Sequence, residues 1–321
     1  MCIRDRPSDV VLNSGEGLRA AFYSDADPAS YASFKAHVKQ IDLLFPEWLH
    51  VVGPDGSLTA YTSDSTPFAV IDAAGVHGVD PENKVLRVIT AAKEDTEIFP
   101  MVNNYSPTDG VFEPSVEQFL LDPSAQANFI RQIDQFLAAN TRYSGITLDF
   151  QGIPLDATAG YDQLVQSLSD NLHQRNLKVY VNAPVNDASV DLQFVGSHAD
   201  GVVLMNYDQH ETGTDPGPVA GQDWFENNLR NAMKIVPREK IICSIGNYGY
   251  DWTSPLPPLP GARRKGHPVA KPKAAGSQVL SAVNLSTQGI WQEASDSGAQ
   301  IVLDDASLNP HFAYDLSLIH I

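Results

Sequence analysis

Gly145-Ile146-Thr147-Leu148-Asp149-Phe150-Gln151 is the stretch whose reading decides the fold. Successive side chains of a strand point to opposite faces, so Ile146, Leu148 and Phe150 share one side and Thr147, Asp149 and Gln151 the other. An amphipathic helical pattern precedes it, Ser124 to Asn140, with a Ser cap and with Phe129, Ile133, Phe136 and Leu137 on one face. A second, Tyr161 to Asn176, follows it. Helix, strand and helix at this spacing are the mark of βαβ units and a parallel sheet.

The same alternation runs outward in both directions. Leu18 to Tyr23 reads as the first strand, Leu43 to Val52 as the second, with a turn at Pro54-Asp55-Gly56, and Glu97 to Asn103 as the third. Helical patterns Tyr31 to Gln40 and Pro81 to Glu94 lie between them. Beyond the fourth strand come Lys178 to Ala183, Gly201 to Tyr207 and Lys240 to Ile245, separated by helical stretches Leu192 to Ala199 and Trp224 to Val236. Gln288 to Ser297 reads as a further helix and Ile301 to Leu303 as a short strand. The expected fold class is α/β, a (β/α)8 barrel of the TIM type truncated before its eighth strand, leaving the edge beside the first strand uncovered. The number of βα units exceeds the usual five or six of an open flavodoxin-like sheet, and no Gly-x-Gly-x-x-Gly turn awaits a nucleotide.

The barrel is expected over residues 15–314. Residues 1–14 are expected to be a non-native or disordered leader, and 315–321 a non-native tail. Met1 to Arg6 (MCIRDR) and Asp315 to Ile321 (DLSLIHI) match neither the composition nor the periodicity of what they flank, and they resemble translated adapter DNA. Thr253 to Gly276, rich in Pro and Gly and carrying Arg263, Arg264, Lys265, Lys271 and Lys273, reads as a long loop. It is either a solvated insertion on the rim or a contact for an anionic glycan or a neighbouring domain.

Of the 321 residues, 43% are hydrophobic, enough for a sizeable core. The net charge of −18, from 39 acidic and 21 basic side chains, argues against nucleic acid or an anionic membrane surface as partner. Cys2 and Cys243, the two cysteines, offer no disulfide framework or zinc spacing. His198, Asp208 and His210 are not spaced as metal ligands. No metal and no cofactor is expected.

Barrel enzymes carry their chemistry at the C-terminal ends of the strands. Those ends hold Tyr23; Glu47 and Trp48; Asn103 and Asn104; Asp149 and Gln151; Asn182; Met205, Tyr207 and Asp208; and Tyr248, Tyr250 and Trp252. Aromatic rings beside amides and carboxylates suit a sugar, whose apolar face stacks while its hydroxyls take hydrogen bonds. The bland alternative for any one of them is a structural role; Asp208, for instance, reads equally as a helix-start cap.

The stretch from Gly145 to Gln151 is similar to the fourth-strand signature of family 18 glycoside hydrolases, the chitinase-like barrels. Met205-Asn-Tyr207-Asp208-Gln-His210 resembles the family's sixth-strand motif. Tyr248-Gly-Tyr250-Asp-Trp252 resembles the seventh-strand motif of the branch acting on peptidoglycan and related glucosamine polymers. Leu18 to Trp48, Pro100 to Tyr105 and Leu308 to Tyr314 resemble a narrower bacterial group, in which the barrel is joined to a polysaccharide deacetylase and a family 2 glycosyltransferase. The resemblance implies an extracytoplasmic domain acting on β-linked N-acetylglucosamine polymers. It also implies that a glutamate at position 151 would protonate the leaving oxygen, that Asp149 would orient the acetamido nucleophile, and that Tyr207 would hold its carbonyl. The remaining strand-end residues would bind substrate.

The sequence departs from that pattern. Ser144 and Thr147 stand at the first two acidic positions, and Gln151 stands at the acid. An amide donates no proton in catalysis, and losing a general acid costs roughly 10²- to 10⁴-fold in rate. Three readings stay open: a glycan-binding pseudoenzyme, a rescue by Asp208 or Glu47 as acid, or a glutamine that is not the true residue.

Overall fold

The computed structural model describes residues 2–4, 17–185, 187–253, 281–314 and 317–320. The expected loop Thr253 to Gly276 lies, apart from Thr253 itself, outside the described residues, as do most of the first fourteen. The chain divides into two compact units. One comprises Met1–Met205 with Ala232–Cys243, the other Asn206–Asn231 with Ser244–Ile321.

The first unit is built on a ring of strands. Leu18–Ser24, Leu43–His50, Met101–Asn103, Gly145–Asp149, Lys178–Pro184 and Gly201–Met205 follow one another as parallel neighbours, and Ile241–Ser244 comes next. These are the first to seventh strands in the order expected, although the third is broken into Glu97–Ile98 and Met101–Asn103. Pro100 stands in the break and has no N–H to give a ladder. The edge beside the first strand is not uncovered. Cys2–Arg4 lies there antiparallel, pairing Ile3 with Cys243 on one side and Cys2 with Ala20 on the other. A sheet edge is a row of unpaired N–H and C=O groups, and any extended segment within reach satisfies it.

Helices pack outside the ring for reasons written in their first turns. Pro123–Ala139 is capped by Asp122, whose carboxylate accepts from Ser124 N at 2.8 Å, with Pro123 at the first helical position. The cap is therefore Asp122 rather than the expected serine. Its apolar face is the expected one: Phe129, Ile133, Phe136 and Leu137 are buried. Asp27 and Asp191 cap Pro28–His37 and Leu192–His198 in the same way.

Inside the ring, Ala20, Leu43, Phe45, Phe99, Tyr180, Val203 and Ile242 fill the lower layer. Tyr180 packs its ring 4.7 Å from Phe99 and 5.4 Å from Phe45, against Gly201, where a Cβ would lie 2.5 Å from the Tyr180 ring. Gly145 is required on the same grounds. At φ +153° a Cβ there would sit 1.8 Å from the Lys178 carbonyl oxygen, so a side chain would force the fourth and fifth strands apart. Because interior positions alternate, the plug fixes Glu47, Asn103, Asp149 and Asn182 as the next inward-facing row.

The second unit carries an antiparallel sheet in the order Ser281–Ser286, Tyr248–Thr253, Ser317–His320, Pro310–Tyr314, Val302–Leu303. Helix Thr287–Ser297 packs on it through Ile290 and Ala294 against Phe312 and Ile319. The helix and short strand read after the seventh strand thus belong to this sheet. Ser317–His320, set aside as foreign by composition, is its central strand. Local patterning identifies a strand without identifying the sheet that will pair with it.

Candidate functional site

Above the plug of the first unit, neighbouring strands line up a row of polar side chains. The registers place Glu47 beside Met101, His50 and Asp149 beside Asn103, and Asn182 beside Val203. Asn103 Nδ2 donates to Glu47 Oε1 at 2.9 Å, and Asn103 Oδ1 accepts from Tyr105 N at 3.0 Å. Gln151 Nε2 donates to Asp149 Oδ1 at 3.3 Å. Asn182 is 1% exposed; its amide nitrogen lies 3.8 Å from Met101 Sδ, and its carbonyl oxygen has no donor.

Both carboxyl groups of the interior row are raised above their ordinary values. Burial pushes Asp149 up to about 6, against which hydrogen bonds from Gln151 and Asn182 pull downward. Burial, then the charge of Asp149, also raises Glu47, while Asn103 and Ser24 favour its ionised form. Neither carboxylate has an ion-pair partner among the described residues. His50, buried nearby with Nδ1 2.9 Å from Tyr105 O, is lowered to about 4 by desolvation and is neutral at physiological pH.

Gln151 is held by its backbone. Its N–H donates to Asn104 Oδ1 and its carbonyl accepts from Asn104 Nδ2, both at 2.9 Å. Asn104 is 0% exposed and also reaches the Glu113 carbonyl at 3.4 Å. Expected to touch substrate, it instead fixes where position 151 sits.

Tyr23 and Trp48 depart further from expectation. They are 1% and 3% exposed, on the helix-facing side of their strands, and present no face to a ligand. Asp25 accepts from Tyr23 Oη at 2.7 Å and Trp48 Nε1 at 2.8 Å, and it pairs with Lys84. The physical reason is parity: Ala20 and Phe22 point inward with the plug, so Tyr23 points out. The alternation is readable in the sequence, whereas position at a strand end alone does not separate the two faces. Spacing alone gives no sign that Lys84 pairs with Asp25, the polar residue just beyond the first strand. Glu47, Asp149, Gln151 and Met205 remain half-buried.

The second unit gathers the other expected residues around Asp208. Tyr248 Oη donates to Asp208 Oδ1 in a short hydrogen bond, and Tyr250 Oη donates to the same oxygen at 2.9 Å. Burial and this carboxylate push both phenols up, so each stays a donor. Asp208 has φ +62°, a left-handed backbone that Asp tolerates better than most residues. Tyr207 stacks edge-on to Tyr248 at 5.8 Å, and both rings are half-buried. Trp252 is 0% exposed and packs in a core with Tyr250 and Val219, so it is a core residue rather than a sugar contact.

A ring of parallel strands with carboxyls and amides in one row above an apolar plug has the form of a TIM-type barrel. The chain belongs to glycosyl hydrolases family 18, whose profile matches residues 45–316. It is 28% identical over 172 residues to the uncharacterized glycosylase YvbX of Bacillus subtilis, covering 50% of each chain. The chain thus spans about half the length of that curated relative. In fold it resembles the chitinase of Chromobacterium violaceum, with a TM-score of 0.73 at 22% identity over 94% of this chain and 85% of that one. The spore cortex-lytic enzyme SleL of Bacillus cereus follows with a TM-score of 0.69 at 18% identity, over 94% of this chain and 64% of that one. At these identities the two structures speak for the fold alone.

Proposed function

We propose that this domain recognises a β-linked polymer containing N-acetylglucosamine and that its hydrolytic power is impaired. The observation that carries the reading is the side chain at position 151. It is a carboxamide, its backbone is locked by Asn104, and it donates to Asp149 rather than holding a transferable proton. Half-buried Tyr207 and Tyr248 offer rings suited to a sugar face, which supports recognition. Joining to a deacetylase and a glycosyltransferase, and an extracytoplasmic location, are parts of the proposal that rest on the family resemblance alone.

A second reading, an active hydrolase, is favoured by one observation. Glu47 has a raised carboxyl in the row that holds Asp149 and could hold a proton in place of position 151. Asp208 is a poorer substitute, because two phenols already donate to it.

The separating experiment is a fluorogenic chitobioside assay on the native chain and on Gln151→Glu, beside calorimetric titration with chito-oligosaccharides. A carboxylate at 151 about 3.3 Å from Asp149 would face repulsion of about 5 kcal/mol at an effective dielectric of ~20, so the pair keeps one proton at neutral pH. The expected gain is roughly 10²- to 10⁴-fold in turnover, with binding unchanged. Equal activity of the native chain and the variant would overturn the account of the acid. No heat with millimolar sugar would overturn recognition.

A further inference from the structure

The interior row has an imbalance that its own residues do not resolve. Its acceptors are the Glu47 and Asp149 carboxylates and the carbonyl oxygen of Asn182. Its donors are the side-chain amides of Asn103, Gln151 and Asn182, with Ser24 beside Glu47, and every one is neutral. Neither carboxylate meets a cation among the described residues. Independently of the charges, Asn182 is 99% buried, stands beside Asp149, and has a carbonyl oxygen with no donor at all. Buried acceptors are almost always satisfied, so an orphan of this kind marks a group that something else completes.

The missing partner must bring hydrogen-bond donors and positive charge. A sugar hydroxyl brings one donor and no charge. An acetamido group brings one N–H and a carbonyl that needs a donor of its own. A primary ammonium brings three donors, no acceptor and a full positive charge, which is what two carboxylates and one carbonyl oxygen lack.

Resting on the reading of the domain as a glycan binder, we infer that the Glu47–Asp149–Asn182 row takes the ammonium group of an unacetylated glucosamine unit within the polymer. Position 151 fits this role. A glutamate there would share one proton with Asp149 and spread a single negative charge over both groups, whereas Gln151 donates a neutral hydrogen bond and leaves that charge on Asp149 alone above pH 6 or so. The residue that removes the acid therefore keeps the negative charge of the row and localises it on Asp149. The preferred ligand is a partly or fully de-N-acetylated chain, and its amine makes the specific contact.

The test is calorimetric titration of the whole chain at neutral pH with two oligomers of equal length, a β-1,4-glucosamine tetramer and an N-acetylglucosamine tetramer. Three variants accompany it: Glu47→Gln, Asp149→Asn, and Asp305→Asn as an exposed control charge, each checked for folding by circular dichroism. A charge-assisted hydrogen bond corresponds to roughly ten- to a hundredfold in affinity. The amine tetramer is expected to bind at least about tenfold more tightly, and either row variant to lose at least about tenfold more affinity for the amine tetramer than for the acetylated one. Equal or tighter binding of the acetylated tetramer would overturn the ammonium seat and leave glycan recognition standing. So would an equal loss in Asp305→Asn, which would assign the attraction to the overall charge of −18. Binding of neither tetramer would overturn the glycan reading itself.

Discussion

Replacing Asp149 by asparagine should stabilise the protein at neutral pH and do progressively less as pH falls. Burial raises Asp149 from 3.8 to about 6, so the folded state holds this proton more tightly than the unfolded chain does. Ionisation therefore opposes folding. The penalty is absent below about 3.8, grows between there and about 6, and is fully present above. At 1.36 kcal/mol per pH unit, that window corresponds to about 3 kcal/mol for a fully buried group. Asp149 is half-buried, and water reaching it reduces the figure to about 1–2 kcal/mol. The asparagine oxygen can still accept from Gln151, and its new amide finds the vacant carbonyl oxygen of Asn182 on rotation of that side chain. Losing the charge also relieves Glu47, which adds in the same direction. Urea unfolding of both proteins at about pH 7.5 and about pH 4.5 measures the effect, as the stability difference between them at each pH. The variant should gain about 1 kcal/mol or more on going to the higher pH, with unchanged m-values. A difference that does not change with pH would show that Asp149 is not desolvated as the row requires.

Two further predictions concern groups that hold the site without touching a ligand. Asp25→Ala leaves Tyr23 Oη, Trp48 Nε1 and Lys84 without their shared acceptor, and should cost about 3 kcal/mol in a urea titration; a loss below about 1 kcal/mol would mean water replaces the carboxylate freely. Asn104→Ala removes two buried hydrogen bonds to the Gln151 backbone and should cost about 1–3 kcal/mol, with faster amide exchange at Gln151. Unchanged exchange there would show that the loop keeps its place without Asn104.

What the sequence disclosed followed from periodicity. The seven strands and the buried face of Pro123–Ala139 were legible because patterns of two and 3.6 residues are local. Asp149 and Gln151 were legible as one inward-facing pair for the same reason. Which sheet receives a strand was not, since Val302–Leu303 and Ser317–His320 find their neighbours through long-range pairing. Nor could composition show that Cys2–Arg4 would lie along a sheet edge. The inward or outward direction of Tyr23 and Trp48 was available from strand parity once Ala20 and Phe45 were seen as interior. Reciprocal bonds such as those between Asn104 and Gln151, 47 residues apart, leave no trace in the spacing of either.

Those two bonds also bear on how such a domain can change over generations. Asn104 grips main-chain atoms that every residue except proline possesses, so it delivers whatever side chain is encoded at 151 to the same point beside Asp149. Location and chemistry are thereby inherited separately. On the reading proposed above, a lineage can pass between cutting a polymer and merely holding it through a single-nucleotide exchange of Glu and Gln, in either direction, without rebuilding the loop that presents the residue.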